Sequence, residues 1–164
     1  MISKTKVCVQ GLGFVGLAMS IAVANAKDKN NETYFDVVGL DLPNKEGKQK
    51  IDSINKGIFP FKCTDENLIK AFNLAIKESN LKATSSTDSL KESEIIIVDI
   101  NLDVNNIEKN PNIDFSGFKK AIKSIGENMK RDALVIIETT VPPGTTKEIV
   151  APILFRELKK RYGS

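Results

Sequence analysis

Three glycines, Gly11, Gly13 and Gly16, stand at the G-x-G-x-x-G spacing inside the segment KVCVQGLGFVGLAMSIAVANA. That spacing does chemistry only when a strand leads into it and a helix leads out. The first glycine then permits the tight turn, the second lets main chain come against a pyrophosphate, and the third lets helix and strand pack closely. The anion rests on the free N–H groups of the helix N-terminus, with Phe14 and Val15 in its first turn. Lys6 to Gln10 alternates and is rich in valine, which predicts the strand, and Phe14 to Ala26 is apolar all round, which predicts a buried helix. The same run imitates a secretion signal, with Lys4 and Lys6 as its basic start and Ala24-Asn25-Ala26 as its cleavage site. The glycines weigh against that reading, because they weaken the continuous apolar helix a signal or a membrane span needs.

A glycine turn alone is weak, and the second landmark is an acid closing the next strand. YFDVVGLD is a strand pattern ending at Asp41, placed to accept the ribose hydroxyls of a dinucleotide and to repel a 2′-phosphate, which favours NAD over NADP. Lys45 and Lys48 lie close enough in sequence to soften that discrimination. The interval from Gly16 to Asp41 is long, and the polar insertion AKDKNNET accounts for it. Asp41 also stands before Pro43, where a turn aspartate is common.

What the chain lacks excludes other chemistries. It has 164 residues, 41% of them hydrophobic, and 24 basic against 21 acidic side chains with their signs interspersed, so one ordinary domain is expected and nothing asks for nucleic acid or a membrane. With no histidine and only Cys8 and Cys63, neither a zinc site nor a histidine-assisted nucleophile can be assembled within the chain. No metal is expected. Cys8 falls in a strand as a small hydrophobe. The basic run at Lys159–Tyr162 complements a helix dipole better than a phosphate backbone.

The remaining elements must position the turn and the acid. A charged helix over Lys45–Asn55 is closed by the glycine and proline of KGIFPF; a second begins with Thr64 as N-cap and buries one face made of Leu68, Ile69, Phe72, Leu74, Ala75 and Ile76. LKAT is a short strand, SSTDSLKES a brief helix or turn, and EIIIVDI and ALVIIETT read as strands buried on both faces. FSGFKKAIKSIGENMK lies between them as a helix, and the last helix, about Thr145 to Tyr162, starts with a capping box from Thr145 and Glu148. NLDVNNIEKNPNID reads as a long polar loop at the carboxyl end of the sheet, where ligands bind in such folds. Strands alternating with helices predict an α/β, Rossmann-type doubly wound parallel sheet of five strands in the order 3-2-1-4-5, with the sixth strand missing.

GLGFVGLAMS, VVGLD, INKGIFPF, LKATSSTDSLKESEIIIVDI and VIIETTVPPGTT, in that order, resemble the NAD-binding N-terminal domain of the UDP-glucose/GDP-mannose dehydrogenase family over nearly the whole chain. The most specific piece is TTVPPGTT. The resemblance implies oxidation of a sugar-nucleotide C6 alcohol to a uronic acid with two NAD molecules, through a cysteine thiohemiacetal and thioester. In that family the cysteine, a lysine and an asparagine come from a second half of the protein, so the expectation is an N-terminal part whose nucleophile is not in this chain and which is inactive alone. It implies Gly11, Gly13 and Gly16 on the pyrophosphate, Asp41 on the ribose, and Thr140 near the nicotinamide and a catalytic water. Thr140 could equally be a strand-end threonine serving turn amides before Pro142. A sugar-nucleotide partner, a full-length homodimer or larger assembly and a cytoplasmic location follow as expectations. The sequence departs from the family where the fourth strand ends: Asp99, Ile100 and Asn101 replace Val-Pro-Thr-Pro or Val-Asn-Thr-Pro. Two alternatives stand: a stand-alone NAD-binding module without catalysis, or another Rossmann dehydrogenase or S-adenosylmethionine-dependent methyltransferase, against which TTVPPGTT argues.

Overall fold

The structure, a computed structural model, describes residues 4–105 and 112–163. Five strands form a parallel sheet: β1 (Thr5–Gln10), β2 (Phe35–Leu40), β3 (Leu81–Thr84), β4 (Ile95–Val98) and β7 (Leu134–Ile137). Their order is β3-β2-β1-β4-β7, which is 3-2-1-4-5 counted along the sheet. The labels skip two because the polar segment after β4 carries a short antiparallel ribbon, β5 (Asp103–Asn105) with β6 (Asn112–Asp114), where a plain loop was expected. Residues 106–111 lie outside the described residues. No sixth sheet strand occurs among the described residues.

Each crossover is helical. α1 (Phe14–Ala24), α2 (Lys45–Asn55) and α3 (Glu66–Lys77) cover one face; α5 (Ser116–Asn128) and α6 (Ala151–Tyr162) cover the other, with the short α4 (Asp88–Glu92) leading into β4. The first core joins Val7, Val9 and Val37 to Leu17, Ile21, Ile54 and Phe72; the second joins Cys8, Ile96 and Val98 to Leu90, Phe118, Ile122 and Ile125. Removing such a side chain from water contributes about 1.5–3 kcal/mol, so the two apolar faces of the sheet hold the helices in place. Helices α5 and α6 approach closely at Gly126, where a β-carbon would lie 2.9 Å from Glu157 Cβ. Arg161 then closes the end of α5 by donating from Nη1 to the Met129 and Gly126 carbonyls at 2.7 and 3.1 Å.

Four local expectations are corrected. Leu74 of α3 is not on the buried face: it is 39% exposed, because the helix turns Phe72 and Ala75 to the sheet and leaves Leu74 on the other side. The N-cap of α3 is Asp65, not Thr64: its extended backbone lets Oδ1 accept from the Asn67 and Leu68 amides at 2.9 and 3.2 Å. The capping box at Thr145 does not form, because Thr145 already has helical dihedrals and is buried, so its hydroxyl does not reach back to the amides. The chain enters instead through Gly144, at φ 90°, and a π-helical turn over Thr146–Val150 precedes α6. Finally, β7 is buried on one face only. It is an edge strand, and Leu134 and Ile136 on its α1-side face remain 55% and 41% exposed.

Candidate functional site

All five strands of the sheet end together. The register continues past their last residues: Gly11 N–H donates to the Leu40 carbonyl at 2.9 Å, Asp41 N–H to Thr84 at 3.1 Å, Asp99 N–H to Gln10 at 2.9 Å and Glu138 N–H to Val98 at 3.0 Å. Over these ends lies a cleft of about 670 Å³. Gly11, Leu12 and Gly13 form its floor, with Asp41 and Lys50 at one end and Asp99, Ile100 and Asn101 beyond β1; Lys120 and Ser124 of α5 close it. This is the switch point at which α1 leaves one face of the sheet and α5 the other, the place where open α/β sheets bind ligands. A more open hollow on the outer side of α2, lined by Glu46, Gln49 and Lys56, shares Lys50 with the cleft but has no glycine turn.

The glycines divide the work as their spacing requires. Gly11 has φ 105°, and a β-carbon there would run into the Asp99 carbonyl; at Gly16 a β-carbon would overlap the Gly11 carbonyl. These two are steric necessities of the turn. Gly13 differs, because a β-carbon there would meet nothing within 4 Å. Its main chain is bare toward the cleft. It is also the N-cap of α1, has no capping side chain, and the first turn of α1 contains no acid, so the first amide groups are left for an anion. Phe14 and Val15, exposed at 48% and 57%, contribute main chain rather than side chains to that end. A pyrophosphate fits here on three observations of this chain: a bare Gly13, uncapped amides and lysines at Lys50 and Lys120 lining the same cleft.

Asp41 lies at the end of β2 with its side chain only 11% exposed. Its Oδ1 accepts from the Leu42 amide at 2.7 Å, and its Oδ2 forms an ion pair with Lys50. The partner is Lys50, not Lys45 or Lys48. Lys50 was missed in the sequence, yet a signal for it exists: Gly47, Lys50, Ile51 and Ile54 follow i, i+3, i+4, i+7, and the other three are buried. A lysine in a core-facing stripe needs a countercharge. Asn44 fixes the stripe by capping α2, its side chain accepting from the Gly47 amide at 2.7 Å.

Thr140 is exposed and does not line this cleft. Its neighbour Thr139 is buried and ties β7 to the end of β4: its hydroxyl accepts from the Ile100 amide at 2.9 Å and donates to the Val98 carbonyl at 3.2 Å. Two acids meet nearby. Burial lifts the Asp99 carboxyl above its ordinary 3.8. Burial also lifts Glu138 above 4.5, and the negative charge of Asp99 adds to that. Glu138 Oε2 is buried without a partner, and so is Gln10 Oε1. Cys8 is fully buried and its thiol is pushed up to about 12, which removes it as a nucleophile.

A parallel sheet in this order, with a bare glycine turn at the N-terminus of its first helix and an acid closing its second strand, defines a Rossmann-type dinucleotide-binding domain. More narrowly, the chain belongs to the UDP-glucose/GDP-mannose dehydrogenase family, matching its NAD binding domain over residues 5–163. NAD is therefore its cofactor. The chain is 30% identical over 144 residues to the UDP-N-acetyl-D-mannosamine dehydrogenase of Pyrococcus horikoshii, covering 88% of this chain and 30% of that protein. It is 30% identical over 156 residues to the UDP-N-acetyl-D-glucosamine 6-dehydrogenase of Salmonella typhi, covering 94% of this chain and 32% of that one. The crystal structure of NDP-N-acetyl-D-galactosaminuronic acid dehydrogenase from Methanosarcina mazei Go1 superposes with a TM-score of 0.84 at 26% identity, covering 95% of this chain and 32% of the other. The chain thus spans about 30% of the length of the curated relatives it matches. No helix among the described residues is long and apolar enough to cross a membrane.

Proposed function

We propose that this domain serves an enzyme that oxidises the C6 hydroxyl of a UDP-linked hexose, in the N-acetylhexosamine class, to the carboxylate. The observation that carries the reading is the cleft itself: an uncapped α1 with bare Gly13 on one side and Asp41 held by Lys50 on the other. Two of the relatives, named as dehydrogenases of UDP-N-acetyl-D-mannosamine and UDP-N-acetyl-D-glucosamine, support the substrate class.

In this reading Gly11 and Gly16 set the turn, and the main chain from Gly13 to Val15 receives the pyrophosphate at the helix N-terminus. Asp41 accepts from the adenosine ribose hydroxyls, held in its rotamer by Leu42 N–H and Lys50. Thr139 fixes the loop ends of β4 and β7 against each other, and its exposed neighbour Thr140 is assigned to the nicotinamide side on the family resemblance alone. Bound NAD supplies the hydride acceptor; passage from alcohol to acid removes four electrons and so consumes two NAD. The nucleophile and the acid–base groups are assigned to the part of the family that this chain does not match, since Cys8 is buried, Cys63 does not line the cleft and no histidine is present.

The test has two arms. The 164-residue chain is expected to bind NAD in a calorimetric titration yet form no NADH with UDP-N-acetylmannosamine, UDP-N-acetylglucosamine, UDP-glucose or GDP-mannose. Turnover abolished by Cys8→Ser or Cys63→Ser would overturn this. A polypeptide joining the domain to the portion matching the relatives' remaining length should yield two NADH per UDP-N-acetylhexosamine, and preference for GDP-mannose would remove the proposed substrate class.

A further inference from the structure

Asp99 stands in the cleft beneath the glycine turn. Its carbonyl oxygen is what forbids a side chain at Gly11, and its carboxylate oxygen Oδ2 lies 3.0 Å from where a β-carbon on Gly16 would be. The carboxyl therefore lies against the base of the same turn that presents Gly13 to an anion. The elements around it do nothing to balance its charge. Helix α1, FVGLAMSIAVA, carries no titratable side chain; β1 brings the neutral Gln10; β7 brings a second acid, Glu138. Two lysines line the cleft, but Lys50 is committed to Asp41, and Lys120, from α5, does not offset the effect of burial on Asp99.

We propose that Asp99 sets the strength of dinucleotide binding through its charge: the ionised carboxylate opposes the pyrophosphate, so the dinucleotide binds the form in which Asp99 is protonated and takes up one proton from solvent. The inference rests on the pyrophosphate lying at the glycine turn. A like charge disfavours the ionised form of both neighbours, and the carboxyl is the one able to neutralise itself. Its affinity for protons is already raised in the free domain by burial, and its charge in turn raises that of Glu138. Because an acid with a raised pKa stays protonated to higher pH, binding is tight below that pKa and weakens as pH rises through it. A further rise of about one unit on binding corresponds to about tenfold in affinity between the two plateaus.

The experiment is isothermal titration of the intact chain with NAD and, separately, with ADP-ribose, which shares the pyrophosphate but lacks nicotinamide. It is run from about pH 3.5, below the ordinary carboxylate range, to about pH 8, in buffers of different ionisation enthalpy, so that proton uptake is read directly from the wild type without any variant. Wild-type affinity should fall about tenfold across the range for both ligands, with up to one proton taken up. Asp99→Asn and Asp99→Val should bind at the tight plateau at every pH with no uptake. Circular dichroism at each pH confirms that the variants are folded. Affinity that rises with pH, a dependence present with NAD but absent with ADP-ribose, absence of proton uptake by the wild type, or an Asp99→Asn profile parallel to the wild type would overturn the proposal. Binding of neither ligand by any of the proteins would overturn the cofactor site and this proposal together, whereas the outcomes above sink this proposal alone.

Discussion

Replacing Asp41 by alanine removes two interactions at once. On the proposed reading the ribose hydroxyls lose a charged acceptor, and Lys50 loses its partner in a side-chain environment only 24% exposed. A hydrogen bond to a charged group contributes roughly 1.5–3 kcal/mol, so Asp41→Ala should weaken NAD by about ten- to a hundredfold, read by calorimetry. Affinity for NADP should fall less, because the freed lysine then faces the 2′-phosphate; equal losses would show that Asp41 does not face the ribose. The cysteines give a second contrast. Cys8 is completely buried with its thiol pushed to about 12, whereas Cys63 is partly exposed in a loop. Under native conditions at mildly alkaline pH, iodoacetamide should add one carbamidomethyl group per chain, mapped by mass spectrometry to Cys63, with Cys8 labelled only after denaturation. The glycine turn and the place of Asp41 at the end of β2 were legible in the sequence because they depend on spacing and on strand ends. Lys50, Thr139 and the juxtaposition of Asp99 with Glu138 were hidden, since each depends on how separate crossovers meet.

Helix α6 carries a buried acid at its middle. Glu157 sits against Gly126 of α5 with its side chain 3% exposed, and accepts from Lys160 at 2.7 Å and from Arg156 at 2.9 Å. Those two hydrogen bonds hold its carboxyl below the ordinary 4.5, the Lys160 bond contributing most. A depressed acid stabilises the fold above its unfolded pKa, and that contribution is lost as pH falls through the depressed folded value. Melting temperature should accordingly drop on acidification below about pH 4.5, and Glu157→Gln should flatten that part of the profile while lowering the plateau near neutrality; an unchanged profile would show that α5–α6 packing does not depend on the charge. Elements with a long uniform pattern were readable: α2 keeps the expected bounds, and the β-branched runs of β1, β2 and β4 form the sheet's interior. Short or competitive features were not. The β5–β6 ribbon pairs only three residues a side, Thr64 and Asp65 compete for one cap, and Thr145 is drawn into helical dihedrals by the glycine turn before it.

At the scale of the whole molecule, cofactor binding and folding are linked, because the cleft exists only where β1, β2 and β4 end in register. A ligand that binds the native state alone stabilises it by about 2.7 kcal/mol at a hundredfold excess over its Kd. For a domain of this size that corresponds to a rise of roughly 5–10 °C in melting temperature. NAD should produce such a shift at saturating concentration, and NADP a smaller one, since Asp41 repels the 2′-phosphate. Gly13 separates the site from the fold. A β-carbon there meets no atom within 4 Å and the backbone has φ −66°, so Gly13→Val should leave the unliganded melting temperature nearly unchanged. The added side chain nevertheless stands where the pyrophosphate must approach, and it should abolish the NAD-dependent shift. Gly16→Val behaves oppositely: its side chain would be driven into the Gly11 carbonyl, lowering the unliganded melting temperature. Differential scanning calorimetry of the three proteins with and without NAD checks the argument, and a full NAD shift in Gly13→Val would mean that the dinucleotide does not cross the α1 N-terminus at all.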